Sequence, residues 1–333
     1  MVPFLSFVLM LLALLVGAVT GPYGREARGA ASLERSEVNL IYRTRLTGLP
    51  AQAQKVEVWI PLARSSREQE ILAREIETPV PYRIEQDPDY GNEILHLGLV
   101  APFPQELEVE VAYRAKLPGN GTPSYDAELS NDHLDSYMKS QGLLVIDDKV
   151  RRRTQEAVEG RSAVQERARG IYDHVLGHMS YDKTVPGWGR GDTARACLVG
   201  KGNCTDFHSL FISMARAAEI PARFKIGMAV PPEGSGPIPG YHCWAEFYAE
   251  EEGWVTVDAS EAWKLPAKRD YYFGHLDSSK FLISMGRDIR LVPMARHEPV
   301  NIFFYPHVEV DGEVYTNVET EFWYQHKEKE EML

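Results

Sequence analysis

The stretch "GKGNCTDFHSLFISMARAAEIPAR", residues 200–223, decides the fold that we expect of this chain. Apolar residues recur at helical spacing after Asn203, and Pro221 marks where the helix ends. Asn203 is a typical N-cap residue, and Asp206 stands three positions later, where the partner in a capping box is found. The pattern therefore predicts a helix that carries Cys204 in its first turn.

A cysteine in that position has chemical consequences. Free backbone N–H groups and the positive end of the helix dipole favour the thiolate, and the N–H of Cys204 can point at a developing oxyanion. Gly202 allows close approach of the backbone. This segment alone fits equally well a buried, inert cysteine at the start of a helix.

Two later strands supply partners for such a thiolate. In "YHCWAEFY" and "GWVTVDAS", alternation places His242 and Asp258 each on the more polar face of its strand. The "AEEEG" segment between them can turn a hairpin that brings both to one side of the sheet, directly opposite or diagonal. Taken singly, His242 fits a strand histidine with satisfied hydrogen bonds, and Asp258 fits a turn or cap residue. Together with Cys204 they make a nucleophile, a base and an orienting carboxylate.

The rest of the chain divides by its hydrophobic period. Runs such as "VNLIYRTRL" and "LEVEVAY" alternate every two residues and are separated by turn signals, which predicts a small antiparallel β-sandwich. Further along the chain, "VNIFFYP" and "VEVDGEVY" predict more strands, which pack onto the sheet that holds His242 and Asp258. The predicted organisation is a signal peptide or membrane anchor (1–20), a linker (21–36), a β-sandwich domain (37–118), a catalytic domain (119–265) and a C-terminal β extension packed on the core (266–333).

Three motifs in this order resemble the transglutaminase-like superfamily: "GKGNC", "YHCWAEFY" and "WVTVDAS". The resemblance is strong from about Ala168 to Trp263, and flanking stretches such as "WIPL" and "SMGRDIRLVP" resemble bacterial exported members. It implies an α+β fold with a papain-like transglutaminase core, in which a helix packs on an antiparallel sheet, preceded by a β-sandwich domain. It also implies catalytic roles for Cys204, His242 and Asp258 in acyl transfer through a thioester.

The function expected from this resemblance is that of an exported thiol enzyme. It would cleave or transfer an amide acyl group of a protein or peptide substrate, with an amine or water as acceptor. A cysteine peptidase or amidase on the same triad and a non-catalytic cell-surface binding module remain as alternatives. Relatives supply an oxyanion-stabilising aromatic residue from the region that holds Tyr181 and Trp188. Cys197 and Cys243 could form a disulfide and leave Cys204 free.

Composition excludes other classes of protein. The formal net charge is −12 and the pI is about 5.4, which argues against a nucleic-acid partner. Residues 2–19 form an uncharged apolar run, so we expect a periplasmic, cell-surface or secreted protein that meets a membrane only through this segment. The chain shows no phosphate loop, nucleotide fingerprint or calcium-loop spacing, and three cysteines lack the spacing of a zinc site. We therefore expect no cofactor and no metal.

Overall fold

A computed structural model describes residues 36–66, 68–117 and 131–327, with side chains from residue 134 onward in the last range. The described residues belong to one compact unit. The predicted export segment and residues 21–35 of the predicted linker lie outside the described residues, and Ser36 begins the first strand.

The described part of the chain contains strands, α-helices and short 3-10 helices in alternation. The strands are β1 (Ser36–Leu46), β2 (Lys55–Leu62), β3 (Glu70–Glu77), β4 (Arg83–Gln86), β5 (Glu93–Val100), β6 (Leu107–Leu117), β7 (Ser180–Tyr181), β8 (Lys201–Gly202), β9 (Ala222–Ala229), β10 (Ser235–Pro237), β11 (Tyr241–Ala249), β12 (Gly253–Val257), β13 (Lys280–Met285), β14 (His307–Val310), β15 (Glu313–Val314) and β16 (Val318–His326). The α-helices are α1 (Asp148–Val158), α2 (Val164–His178), α3 (Thr193–Val199), α4 (Cys204–Ala217) and α5 (Ala259–Lys264), and the 3-10 helices cover Asn131–Met138 and Pro266–Lys268.

Two five-stranded sheets form the β-sandwich. Their strand orders are β10-β16-β1-β6-β3 and β15-β14-β2-β5-β4. Alternate residues of β1, such as Leu40 and Tyr42, are buried in the same apolar cluster as Val58 and Ile60 of β2. Each sheet buries one face against the other, which explains why apolar residues recur at every second position of these strands.

In the predicted C-terminal extension, β13 joins the sheet on which α4 packs by pairing with β9. The later strands do not join that sheet, so the expectation for "VEVDGEVY" is wrong. β16 pairs with β1 along nine residues, from Val38↔His326 to Leu46↔Val318, and β14 pairs with β2. "VEVDGEVY" forms a hairpin, and both residues of its Asp311–Gly312 turn have positive φ angles. "VNIFFYP" does not form a strand. Alternation of apolar and polar residues predicts a strand, but it does not predict which strand lies beside it. Here β16 pairs with the edge of β1.

The core consists of α4 on a four-stranded antiparallel sheet of order β12-β11-β9-β13. Every residue of α4 from Cys204 to Arg216 is buried, and α1, α2, α3 and α5 all contact this helix. A central helix on an antiparallel sheet is the arrangement that the sequence predicted. It holds the start of α4 close to β11.

A buried ion network joins the sandwich to the core sheet. The Lys225 ammonium on β9 lies 2.5 Å from Glu68, which precedes β3, and 2.7 Å from Glu246 on β11. Arg223 donates to the same Glu246 at 2.6 Å. The charges are buried as a paired set, which is the condition under which buried charges are tolerated.

Within the described residues, we find no helix with the length and apolarity needed to cross a membrane.

Candidate active site

The first turn of α4 is held by the capping box that the sequence predicted. The Asn203 side chain accepts the Thr205 N–H at 3.0 Å, and Asp206 accepts the Asn203 N–H at 3.0 Å. Asp206 also accepts the N–H of Gly189 at 2.7 Å, so the preceding loop is tied to the same carboxylate. These bonds fix the backbone on both sides of Cys204.

Gly202 is needed for space at this point. A Cβ added there would lie 2.1 Å from Oδ2 of Asp206 and 2.5 Å from its Cβ. The glycine therefore lets the capping carboxylate fold back under the chain just before Cys204.

The hairpin of β11 and β12 brings His242 and Asp258 together. The register pairs Ala245 with Val257, so Asp258, the next residue, lies diagonally from His242 on the same face. His242 Nε2 is 2.6 Å from Asp258 Oδ2. Asp258 is also the N-cap of α5, since its Oδ1 accepts the Glu261 N–H at 3.0 Å. Asp258 is therefore both a helix cap and the hydrogen-bond partner of His242.

The charges of these groups support one another. Burial alone would raise the pKa of Asp258, but the adjacent His242 holds it well below its usual range. Burial opposes the charged ring of His242, yet Asp258 outweighs it and raises the pKa of His242 to about 8. The pKa of the Cys204 thiol is lowered well below its ordinary value by a hydrogen bond from Cys243 and, against burial, by His242. The site is thus suited to hold a thiolate beside an imidazolium.

The two ring nitrogens of His242 have different neighbours. Because Nε2 is bound to Asp258, Nδ1 is the ring nitrogen left to interact with Cys204, which also helps to raise the pKa of His242. Nδ1 also lies 3.8 Å from Glu261, whose carboxylate pairs with Lys264 at 2.8 Å. His242 is 6% exposed and Cys204 2%, so little of either side chain is open to solvent.

Cys243 occupies a place that sequence reasoning missed. All three cysteines are free, and no Cys197–Cys243 disulfide is present. Instead the Cys243 sulfur lies against the first turns of α4, 3.7 Å from Thr205 Oγ1 and 3.7 Å from His208 Nδ1. Alternation along β11 could have indicated this, because Cys243 faces opposite to His242, on the apolar side that a buried helix covers.

His208, one helical turn after Cys204, is fully buried. Its Nε2 accepts the Ala259 N–H at 3.1 Å and lies 3.6 Å from Asp258. Burial lowers the pKa of His208, despite the neighbouring Asp258, so the ring is neutral. His208 therefore connects α4 to the start of α5.

Aromatic residues flank the chain just before Cys204. β7 pairs with β8 in parallel and sets Tyr181 opposite Gly202, two residues before Cys204. The Tyr181 ring packs on Trp263, and Lys264 lies 4.3 Å from its centroid. Trp188 is 39% exposed on the loop before α3. The structure thus places Tyr181 beside the short strand that leads to Cys204.

Three atoms of metal-ligand type also meet at this site. The ligand atoms of His242, Asp258 and Glu261 lie within 4.8 Å of one another. Two of these groups are already hydrogen bonded to each other, so a cation bound there would compete with the His242–Asp258 contact.

Comparisons with known proteins agree with this geometry. Residues 151–259 match the family model described as the transglutaminase-like superfamily, and the match contains Cys204, His242 and Asp258. A solved structure described as a candidate cysteine protease from Cytophaga hutchinsonii has a TM-score of 0.59 at 14% identity, with 89% of this chain and 92% of that chain covered. The predicted α+β fold with a transglutaminase-like, papain-like core is confirmed.

One relative in sequence is an uncharacterised protein of Haemophilus influenzae. It is 30% identical over 227 residues, which are 58% of this chain. The matched part spans about 61% of the length of that relative.

Proposed function

Because residues 151–259 form a transglutaminase-like domain, we propose that the protein is a thiol enzyme that transfers or hydrolyses an amide acyl group through a thioester on Cys204. The observation that carries the proposal is the 2.6 Å contact between Asp258 and His242, in a domain that holds Cys204 at the start of α4. His242 also lowers the pKa of the Cys204 thiol. Each of the three side chains has the partner that its role requires.

In the first step the Cys204 thiolate attacks the carbonyl carbon of the amide. The carbon–sulfur bond forms, and the carbonyl electrons move to oxygen. Cys204 is the first residue of α4, so its N–H has no acceptor within the helix and is available to that oxyanion.

In the second step the carbon–nitrogen bond breaks. The His242 imidazolium, with a pKa of about 8, gives its proton to the leaving amine and becomes neutral. Asp258 holds the ring with Nδ1 towards the sulfur throughout. The acyl group is then bound to Cys204 as a thioester.

In the last step water or an amine attacks the thioester. Neutral His242 takes the proton of the attacking group, the carbon–sulfur bond breaks and the Cys204 thiolate is restored. With water the product is a carboxylic acid, and with an amine it is a new amide. The protein or peptide nature of the substrate is part of this proposal, as is the export of the chain by residues 2–19.

Two alternatives differ from the proposal in testable ways. A cysteine peptidase or amidase uses the same three residues and differs in the acceptor, and one structural neighbour is described as a candidate cysteine protease. A non-catalytic binding module would have no use for a thiol with a lowered pKa facing a histidine–carboxylate pair.

The test is incubation of the full chain with a proteome-derived peptide library, with and without a labelled primary amine, followed by mass spectrometry. Labelled glutamine or other amide sites indicate transfer, whereas new carboxylates or new peptide termini indicate hydrolysis. Cys204→Ser is the control and abolishes every product. If the full chain and Cys204→Ser give the same peptides, the proposed function is wrong.

A further inference from the structure

A second carboxylate lies beside the catalytic histidine, and the proposed mechanism gives it no role. Glu261 Oε1 is 3.8 Å from His242 Nδ1, the ring nitrogen that is not bound to Asp258. The backbone N–H of Glu261 donates to Asp258 at 3.0 Å, so the start of α5 fixes the point from which this side chain extends. Because 3.8 Å is longer than a hydrogen bond, the carboxylate and the ring are neighbours without a direct bond.

Lys264 explains why Glu261 stops short of the histidine. The Lys264 ammonium lies 2.8 Å from Glu261 Oε1, the same oxygen that faces His242 Nδ1. The two residues are three positions apart in α5, a spacing that puts them on one face of a helix. Since electrostatic attraction weakens with distance, the closer ammonium attracts the carboxylate more strongly than the histidine ring does.

The Lys264 ammonium also has a second partner. It lies 4.3 Å from the centroid of the Tyr181 ring, within the range of a cation–π contact. Tyr181 is fixed in turn, because its strand β7 pairs with β8 and its ring stacks on Trp263. A fully exposed pair of charges on a helix contributes little, but here the Glu261 side chain is only 18% exposed and the ammonium is held by two groups.

We propose that Lys264 is a positioning residue of the catalytic site, which holds the Glu261 carboxylate away from His242 Nδ1 and so leaves this nitrogen free to exchange a proton with the substrate. The inference rests on the proposed function, in which the imidazolium gives its proton to the leaving amine. Without Lys264 the carboxylate closes onto the Nδ1–H, forms a charge-assisted hydrogen bond and retains the proton that the leaving amine needs.

Other titratable and charged groups face His242 and Glu261 from the surrounding elements. They are Asp258 at the start of α5, Cys204 and His208 on α4, Lys280 on β13, Tyr181 on β7 and Tyr272, which follows the second 3-10 helix. Burial opposes the charge on His242, but Asp258 outweighs it and raises the pKa of His242 to about 8. The ring is therefore charged at neutral pH and attracts any carboxylate that is free to approach.

The test replaces Lys264 with Met, which keeps an unbranched side chain and removes the charge. A crystal structure of this variant should show Glu261 Oε1 within about 3.2 Å of His242 Nδ1. NMR titration of the histidine ring nitrogens, with the His242 signal identified by its loss in His242→Ala, should show the pKa of His242 raised by about one pH unit. The alkaline limb of kcat/KM should move to higher pH by the same amount, and kcat should fall by about tenfold, the factor that one pH unit represents.

Three further variants act as controls. Lys264→Arg keeps the charge and should retain the wild-type distance and pKa. Lys183→Met removes a lysine that also lies near the Tyr181 ring, at 5.9 Å, but stands on the loop after β7, and it should leave the pKa of His242 unmoved. Glu261→Gln should abolish the rise in the Lys264→Met background. Alone it should change the pKa of His242 by less than Lys264→Met does, because Lys264 already neutralises the carboxylate in the wild type.

The inference is overturned if Glu261 stays near 3.8 Å from His242 in Lys264→Met, if the pKa of His242 does not rise there, or if the double variant keeps the rise. Equal and opposite shifts in Lys264→Met and Glu261→Gln would also overturn it, since the two charges would then act independently and without any movement. The crystal structure and the NMR titration use no substrate, so they decide the role of Lys264. The peptide-library test with Cys204→Ser decides the proposed function separately.

Discussion

Asp258 connects local structure to chemistry at the scale of a single residue. One carboxylate oxygen accepts from Glu261 N–H and the Ser260 hydroxyl, both at 3.0 Å, and the other faces His242 at 2.6 Å. The helix cap therefore fixes the carboxylate in the direction that the histidine needs. A rigid partner of this kind is what an orienting residue requires.

Asp258→Asn separates the two roles, because asparagine also caps helices well. The helix α5 should remain, whereas loss of the charge should lower the pKa of His242 from about 8 to below its ordinary 6.5. The imidazolium is present below its pKa, so the alkaline limb of kcat/KM should move to lower pH, and kcat should fall by roughly 10²–10⁴-fold.

The control for this variant is Ser260→Ala, which removes a hydrogen bond to the same carboxylate but keeps its charge. Its alkaline limb should stay near pH 8. An Asp258→Asn enzyme with an unmoved limb would show that Asp258 does not set the charge of His242.

For single residues, the spacing of apolar side chains and the residue types predicted much of the site. Alternation placed His242 and Asp258 on corresponding faces, and the cap pattern placed Cys204 at a helix start. Cys243 and His208 were missed as neighbours of the sulfur. Their contacts depend on how α4 lies across β11, which is a tertiary distance that no local pattern carries.

At the scale of an element, the start of α4 depends on the absence of a side chain at Gly202. A Cβ there would overlap the Asp206 carboxylate, which accepts from Asn203 and Gly189. The capping box and the loop before it are therefore positioned by one contact.

Gly202→Ala should destabilise the protein by about 2–3 kcal/mol, since a cap is lost and a tight contact is overpacked. It should also slow alkylation of Cys204 by displacing the first turn. The control is Gly177→Ala in α2, where an added Cβ meets nothing within 4 Å and helix propensity should add about 0.5–1 kcal/mol. Urea unfolding of both variants checks this. Equal stability of the two would mean that the space at Gly202 is not needed.

At the scale of the whole molecule, the sandwich and the core sheet are joined by buried charges. Burial would raise the pKa of Glu68, but Lys225 lowers it to about 2. Because that value lies below the ordinary 4.5, the stabilisation is present above about pH 4.5 and is lost as pH falls towards about 2.

Glu68→Gln leaves the Lys225 charge with one partner fewer and should lower the free energy of unfolding by about 3 kcal/mol at neutral pH. The difference from wild type should narrow as the pH falls from 4.5. Glu75→Gln on the exposed side of β3 is the control and should change little. Urea unfolding across pH measures both, and a constant difference at all pH values would exclude the ion pair as its source.

The arrangement of sheets was the part of the fold that sequence predicted least well. Strand periods correctly predicted β1 and strand structure in 308–315, yet they did not show that β16 pairs with β1 and that β14 lies beside β2. Pairing between residues nearly 300 positions apart is set by which edge remains open after the other strands have packed.

The central claim is that Cys204 is a thiolate nucleophile held ionised beside His242. Its most direct test is the rate of Cys204 alkylation against pH in the full chain and in His242→Ala, with the buried Cys197 of the same digests as internal reference. The profile and not the absolute rate is compared, because both cysteines are 2% exposed. We expect Cys204 to stay reactive well below the ordinary thiol pKa of 9.0, and we expect His242→Ala to move its profile to higher pH. A Cys204 that titrates like an ordinary thiol in both proteins would contradict it.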